Sequence, residues 1–70
     1  MMEQNTFSKH QFHQFEKVLV RDTDEEKWRY EIFSHIGVGG EYHTLGFAWK
    51  QCIPFEGNEH LLDTKNKPNQ

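Results

Sequence analysis

The sequence predicts a small all-β protein, and three observations lead to this prediction. Apolar and polar residues alternate with a period close to two along most of residues 17–62, which is typical of strands. The chain has 70 residues, enough for one domain and too few for a second. Its ten aromatic residues, six Phe, two Trp and two Tyr, supply much of the apolar area available to so small a core.

The first two predicted strands are separated by an acidic turn. Residues 17–21 (KVLVR) are rich in β-branched side chains and are flanked by charge, which indicates a strand. Residues 22–26 (DTDEE) are too polar to bury and predict an exposed turn. A second strand is predicted by the alternation of apolar with charged side chains over residues 28–32, and we expect Trp28, Tyr30 and Ile32 to face the core. Phe33 interrupts this alternation, and a β-bulge there would account for the interruption.

Glycines mark the turn into the third predicted strand. Gly39 and Gly40 can supply the positive φ angles of a tight hairpin turn. Residues 42–49 then alternate as one continuous strand. We expect one face of this strand to carry Leu45, Phe47 and Trp49.

Two short strands complete the prediction. Residues 51–53 form the fourth strand, which Pro54 ends because proline cannot donate a hydrogen bond to the ladder. Residues 56–58 predict a single helical turn, and residues 60–62 predict the closing strand.

Five short strands, with a bulge in the second and one helical turn before the last, follow the order found in SH3-like barrels, including the Tudor type. A barrel also removes exposed sheet edges. An OB-type barrel usually has a helix between strands three and four, for which Trp49 and Gln51 leave no room. The sequence therefore predicts a five-stranded SH3-like barrel over residues 15–63, a flexible arm over residues 1–14 and a disordered tail over residues 64–70.

Three sequence strings resemble a known family. They are FEKVLVRD at residues 15–22 with Trp28 six residues later, FSH at residues 33–35, and CIPFEGNEHLL at residues 52–62. Over roughly residues 14–64 the chain is similar to short uncharacterised proteins of gut bacteria and their phages and mobile elements. Members often have glycine where this chain has Asp63. The resemblance implies a small β-barrel in a bacterial or phage setting and implies no activity. The strand, acidic turn and Trp28 are also loosely similar to the first hairpin of Tudor-type barrels.

The charge distribution argues against nucleic-acid binding. Residues 15–63 contain five bases and ten acids, and a domain with this balance repels a phosphate backbone. A local basic strip is the alternative, because a strip can outweigh net charge. It would consist of Lys17, Arg21, Lys27, Arg29 and Lys50.

Cysteine and apolar patterning suggest a cytoplasmic protein. Cys52 is the only cysteine, which excludes an intrachain disulfide and fits a reducing compartment. The first residues lack the apolar run of a signal peptide, and no apolar stretch is long enough to span a membrane.

No group of residues predicts catalysis or metal binding. The five histidines lack the close ligand pairs typical of zinc sites. Cys52 and His60 could form a thiolate–imidazole pair, but a lone cysteine is more often a core residue. The acidic turn lacks the glycine and distal glutamate of a calcium-binding EF-hand loop. We therefore expect a protein without enzymatic activity, cofactor or metal.

The aromatic excess is the feature that predicts function. A barrel of this size cannot bury ten rings, so exposed rings should form a protein-binding patch, unless most rings enter the core. Beside an acidic turn, such a patch favours cationic segments through cation–π and Coulomb attraction. We therefore expect a small module that binds basic peptide segments, and the alternative is a homodimer paired through the same rings. The expected binding residues are Trp28, Phe47, Trp49, Phe55, Asp22, Asp24 and Glu25.

Overall fold

The structure is a computed structural model that describes residues 10–68. These residues form a five-stranded antiparallel sheet. The strands are β1 (Lys17–Arg21), β2 (Arg29–Ile36), β3 (Tyr42–Thr44), β4 (Ala48–Trp49) and β5 (Gln51–Pro54). Their order across the sheet is β4-β3-β2-β1-β5. The predicted all-β class is confirmed. The sheet is not closed into a barrel, because β4 and β5 form its two edges.

The strand β1 lies between β2 and β5 and is covered on both faces. Val18, Leu19 and Val20 are fully buried, and alternate side chains of a strand point to opposite faces. One face carries the first core, which consists of Val18, Val20, Phe33 and Cys52, with Phe12, Tyr42 and Trp49 packed against it. The other face carries the second core, which consists of Leu19, Trp28, Ile53 and Leu61, with Phe55 packed against it. Two small cores therefore share one strand.

The burial of side chains along β2 differs from the prediction, in which Trp28, Tyr30 and Ile32 all face a single core. Trp28 is buried, but Ile32 is half-buried and Tyr30 is exposed. Phe33 is buried in the first core, on the face opposite Ile32. Its burial needs no bulge, because both faces of the sheet are covered. The register shift lies between Phe33 and His35, just after the position expected from the sequence.

The predicted third strand over residues 42–49 is wrong, because a tight turn divides it into β3 and β4. Thr44 is buried and forms this turn with its backbone and its side chain. Its amide donates to the Phe47 carbonyl at 2.8 Å, and its Oγ1 accepts from the Gly46 and Phe47 amides at 3.3 and 3.2 Å. Leu45 and Phe47 therefore lie in the turn and are exposed.

The predicted closing strand over residues 60–62 is also wrong. Residues Glu59–Leu61 form a single 3-10 turn, and Leu62 makes only an isolated parallel bridge with Trp28. The turn forms because the Leu61 amide donates to the Asn58 carbonyl, a local bond that replaces a ladder bond. The helical turn predicted at residues 56–58 thus lies slightly later. None of the helical segments within residues 10–68 is long and apolar enough to cross a bilayer.

The segment before β1 lies against the sheet. The Phe12 ring packs on Phe33 and Tyr42, with centroids 5.2 and 5.7 Å apart. His10 Nε2 lies 2.7 Å from the Glu16 carboxylate. The sequence assigns residues 1–14 to a flexible arm, of which residues 1–9 lie outside the described part of the chain. Residues 10–14 help to cover the first core.

Asp63 has a φ of 66°, the left-handed region that favours glycine. We expect Asp63→Gly to be more stable than Asp63→Ala by about 1 kcal/mol, because a Cβ is costly at this φ. Thermal unfolding of the two variants would measure the difference. Equal stability of the glycine and alanine variants would contradict this reading of the backbone.

Candidate functional site

A buried arginine joins the acidic turn to two distant segments. Arg21 is 1% exposed at the end of β1. Its Nε donates to Gln51 Oε1 at 2.7 Å, and its Nη1 donates to the carbonyls of Glu26 and Lys65 at 3.2 and 3.0 Å. Its Nη2 lies 3.5 Å from Asp24 Oδ1. A planar guanidinium with five N–H groups can make these contacts together, whereas an ammonium group cannot match their geometry.

Trp28 forms the floor beneath this arginine. Arg21 Cζ lies 4.0 Å from the centroid of the Trp28 ring, a cation–π contact. The Trp28 amide donates to the Thr64 carbonyl and its Nε1 donates to the Asn66 carbonyl, both at 2.8 Å. Trp28 is 1% exposed. The sequence places Trp28 among the expected binding residues, and its burial makes it a residue that supports the site from below.

The acidic turn is held in place by hydrogen bonds to the start of β5. Asp22 Oδ1 accepts from the Lys50 amide at 3.0 Å. Asp24 Oδ1 accepts from Gln51 Nε2 at 2.9 Å. Glu25 is exposed at the tip of the turn. Hydrogen bonds therefore fix the carboxylates of Asp22 and Asp24 at this end of the sheet.

An open cleft of about 950 Å³ brings acidic and aromatic residues together. Three acidic residues of the turn line it, namely Asp22, Glu25 and Glu26. Three aromatic residues line it as well, namely Trp28, Tyr30 and Trp49. Asp63 and the basic residues Lys27, Arg29 and Lys65 also line the cleft. The cleft thus unites Asp22, Glu25, Trp28 and Trp49, four of the residues expected from the sequence.

Phe47 extends the aromatic wall beyond the cleft. Its ring meets Trp49 edge to face, with centroids 6.3 Å apart, and it is 71% exposed. Trp49 is half-buried, and its Nε1 donates to Thr44 Oγ1 at 3.2 Å. The hydroxyl that bends the chain between β3 and β4 therefore also orients Trp49.

Phe55 lies apart from the other expected contact residues. It is half-buried against the second core and borders a separate pocket with Glu16, Glu56 and Glu59. Its ring meets Tyr30 edge to face at 5.1 Å. Tyr30, which also lines the cleft, is the residue that sequence reasoning missed, because the alternation assigned it to the core.

The basic strip considered from the sequence is interrupted. Arg21 is buried and its guanidinium contacts other parts of the chain. Lys17 pairs with Ile32 and Arg29 pairs with Val20, so Lys17 and Arg29 point to opposite faces of the sheet. Of the proposed strip, Lys27 and Arg29 line the cleft together, whereas Lys17 lies on the opposite face from Arg29.

Cys52 and His60 belong to different sides of the sheet. Cys52 is buried in the first core, and burial raises the pKa of its thiol. His60 precedes Leu61 of the second core. Among residues 10–68, no group of three or more His, Cys, Asp or Glu side chains could hold a metal ion.

Two further histidines form a surface pair. The His35 and His43 rings stack with centroids 4.6 Å apart, and His43 Nε2 lies 3.0 Å from Glu41 Oε2. A hydrogen bond from its own backbone and a second one from the His43 ring lower the pKa of the Glu41 carboxylate. These residues lie outside the cleft.

Comparison with known proteins adds no family to this geometry. No family model matches the chain, and no curated protein or solved structure matches it. Function is therefore inferred from the chemistry of the cleft.

We expect Arg21→Lys to lower the free energy of unfolding by about 2–3 kcal/mol, because hydrogen bonds to a buried charge are lost. Urea denaturation would measure this loss. Arg29→Lys is the matched control, because Arg29 is exposed and should change stability by less than about 0.5 kcal/mol. Equal losses in the two variants would show that the buried guanidinium has no special structural role.

Stability should also fall at alkaline pH because of Cys52. Burial raises the pKa of this thiol above its ordinary value of 9.0, so the folded protein keeps a proton that the unfolded chain releases. Above pH 9 the unfolded state binds fewer protons, and stability should decrease by about 1.4 kcal/mol per pH unit. Urea midpoints measured as the pH rises above that value would show the decrease. Cys52→Ala should lack most of it, and the same pH slope in this variant would refute the assignment.

Proposed function

We propose that this chain is a small non-catalytic protein-interaction module that binds extended peptide segments carrying Lys or Arg. The observation that carries the proposal is the cleft, in which Asp22, Glu25 and Glu26 lie beside the aromatic residues Tyr30 and Trp49. Carboxylates attract a cationic side chain, and an aromatic face receives its charge and its methylene groups. The two kinds of group thus recognise the same ligand.

The contacts available in the cleft predict weak and salt-sensitive binding. Exposed ion pairs and exposed cation–π contacts each contribute roughly 0.2–1 kcal/mol. Lys27, Arg29 and Lys65 at the wall of the cleft reduce the attraction of a cation. We therefore expect dissociation constants of about 10 μM to 1 mM at low salt.

An SH3-like, Tudor-type arrangement is part of the proposal. The strand order β4-β3-β2-β1-β5, with the last strand beside the first, supports it. So does the irregularity in β2 between Phe33 and His35. The bacterial or phage setting implied by the sequence resemblance also belongs to the proposal, as does the cytoplasmic location suggested by the cysteine and apolar patterning.

Charge reversal at the tip of the turn would test the proposal. The probe is a fluorescein-labelled decapeptide of alternating Lys and Thr, titrated by fluorescence anisotropy at low salt. Glu25→Lys should weaken binding roughly fivefold, because it replaces attraction in the cleft by repulsion. Glu56→Lys makes the same charge change at an exposed residue outside the cleft. Equal weakening by both variants would show a response to net charge alone and would contradict a cleft site.

The aromatic wall can be tested on the turn between β3 and β4. Phe47→Ala should weaken binding of the Lys–Thr decapeptide roughly threefold, because the variant removes a cation–π and packing partner. Leu45→Ala is the matched control, since Leu45 is exposed on the same turn. Two results would contradict the proposal. One is tighter binding of a labelled decathymidylate than of the peptide, and the other is a dimer, detected by light scattering, that Phe47→Ala dissociates.

A further inference from the structure

A segment of the same chain forms the wall at one end of the cleft. Residues 64–66 run beside Trp28, and Lys65 lines the cleft. The Thr64 and Asn66 carbonyls accept from the Trp28 amide and indole Nε1. The Lys65 carbonyl, which lies between them in sequence, accepts from Arg21 Nη1. The sequence assigns residues 64–70 to a disordered tail, and these three residues of that tail are hydrogen-bonded to the fold.

This segment contacts Trp28 and Arg21 through its backbone, while the Thr64 hydroxyl donates a further hydrogen bond to the Leu61 carbonyl at 2.7 Å. All three hydrogen bonds from Trp28 and Arg21 end on peptide carbonyls. Every extended peptide offers carbonyls of this kind, whatever its side chains are. Lys65 is exposed, and its ammonium takes part in none of the ion pairs found within residues 10–68. A different segment with a lysine at this position could therefore make the same bonds.

The segment is also weakly attached. Residues 64–70 include no apolar side chain apart from Pro68, and residues 65–67 are exposed. The net free energy gained from each hydrogen bond is of the same order as the conformational entropy lost on ordering one residue. Docking of residues 64–66 is thus close to balanced. Neither core includes any of these residues, and the second core meets them only through Trp28.

We propose that residues 64–66 take the place of a partner along Trp28 and Arg21 at the end of the cleft, and that an extended Lys-bearing segment of the partner displaces them. The inference rests on the proposed function and adds a competing segment to it. On displacement, the partner's carbonyls accept from the Trp28 and Arg21 donors, which would otherwise be left without acceptors in a buried place. The partner's lysines then lie beside Asp22 and Glu25. The apparent affinity for the partner is then the intrinsic affinity multiplied by the fraction of molecules in which the segment is undocked.

Displacement can be observed directly by NMR on the ¹⁵N-labelled chain. The probe is the unlabelled decapeptide of alternating Lys and Thr. At saturation, the amides of Lys65, Asn66 and Lys67 should move to random-coil shifts and lose their heteronuclear NOE. The amides of Val18 in the first core and Ile53 in the second core should keep theirs. A chemical-shift change at the Trp28 indole N–H would show that a carbonyl of the peptide has replaced the Asn66 carbonyl as its acceptor.

A pair of lysine variants tests the competition without removing any carbonyl. Lys65→Glu places a carboxylate among the acids of the cleft and should release the segment before any probe is added. Lys67→Glu makes the same change of charge at an exposed residue that does not line the cleft. The probe should bind Lys65→Glu roughly fivefold more tightly than Lys67→Glu, and only Lys65→Glu should show random-coil amides for residues 64–66 when free.

The outcomes separate this inference from the proposed function. If the probe saturates the cleft while the amides of residues 65–67 keep their shifts and NOE values, displacement is wrong and the peptide-binding function stands. If the probe binds neither the unmodified chain nor Lys65→Glu, both proposals fail. Binding to Lys65→Glu with little binding to the unmodified chain would support a segment that blocks the cleft.

Discussion

The contact between the Arg21 guanidinium and the Trp28 ring is the constraint on which the site depends. A buried cation must be paired, because removing it from water without partners is costly. Its partners come from the acidic turn, from β5 and from the segment at Lys65. One planar group therefore decides where these three parts of the chain meet. The cleft lies where they meet, beside the acids of the turn.

A second constraint is the position of β1 between two small cores. A sheet that is covered on both faces must divide a limited number of apolar side chains between them. Of the nine aromatic residues within residues 10–68, only Trp28 and Phe33 are buried. The other rings lie at the margins of the cores or in solvent. Exposed aromatic surface is thus a consequence of the architecture, and Phe47 and Trp49 place part of it next to the cleft.

The sequence predicted the elements whose evidence is local and missed those that depend on distant contacts. β1 and the acidic turn follow from composition and charge, and both occur where expected. The turn at residues 45–47 was missed, because alternation continues through it while the Thr44 hydroxyl folds the backbone back. The faces of β2 were assigned to one core, since alternation cannot show that a strand is covered on both sides. The apolar residues of the predicted closing strand instead belong to a 3-10 turn, from which Leu61 packs into the second core.

By itself, the sequence determined the all-β class, the acidic turn and an excess of aromatic residues over what so short a chain can bury. Only the tertiary structure decided which acids and rings share a cleft. Arg21 meets Gln51 and Lys65, which are 30 and 44 residues away along the chain, and no local pattern encodes such a meeting. Periodicity describes how neighbouring side chains divide between two faces. The partners of a buried charge are set by which distant segments pack around it, and that is a property of the folded chain.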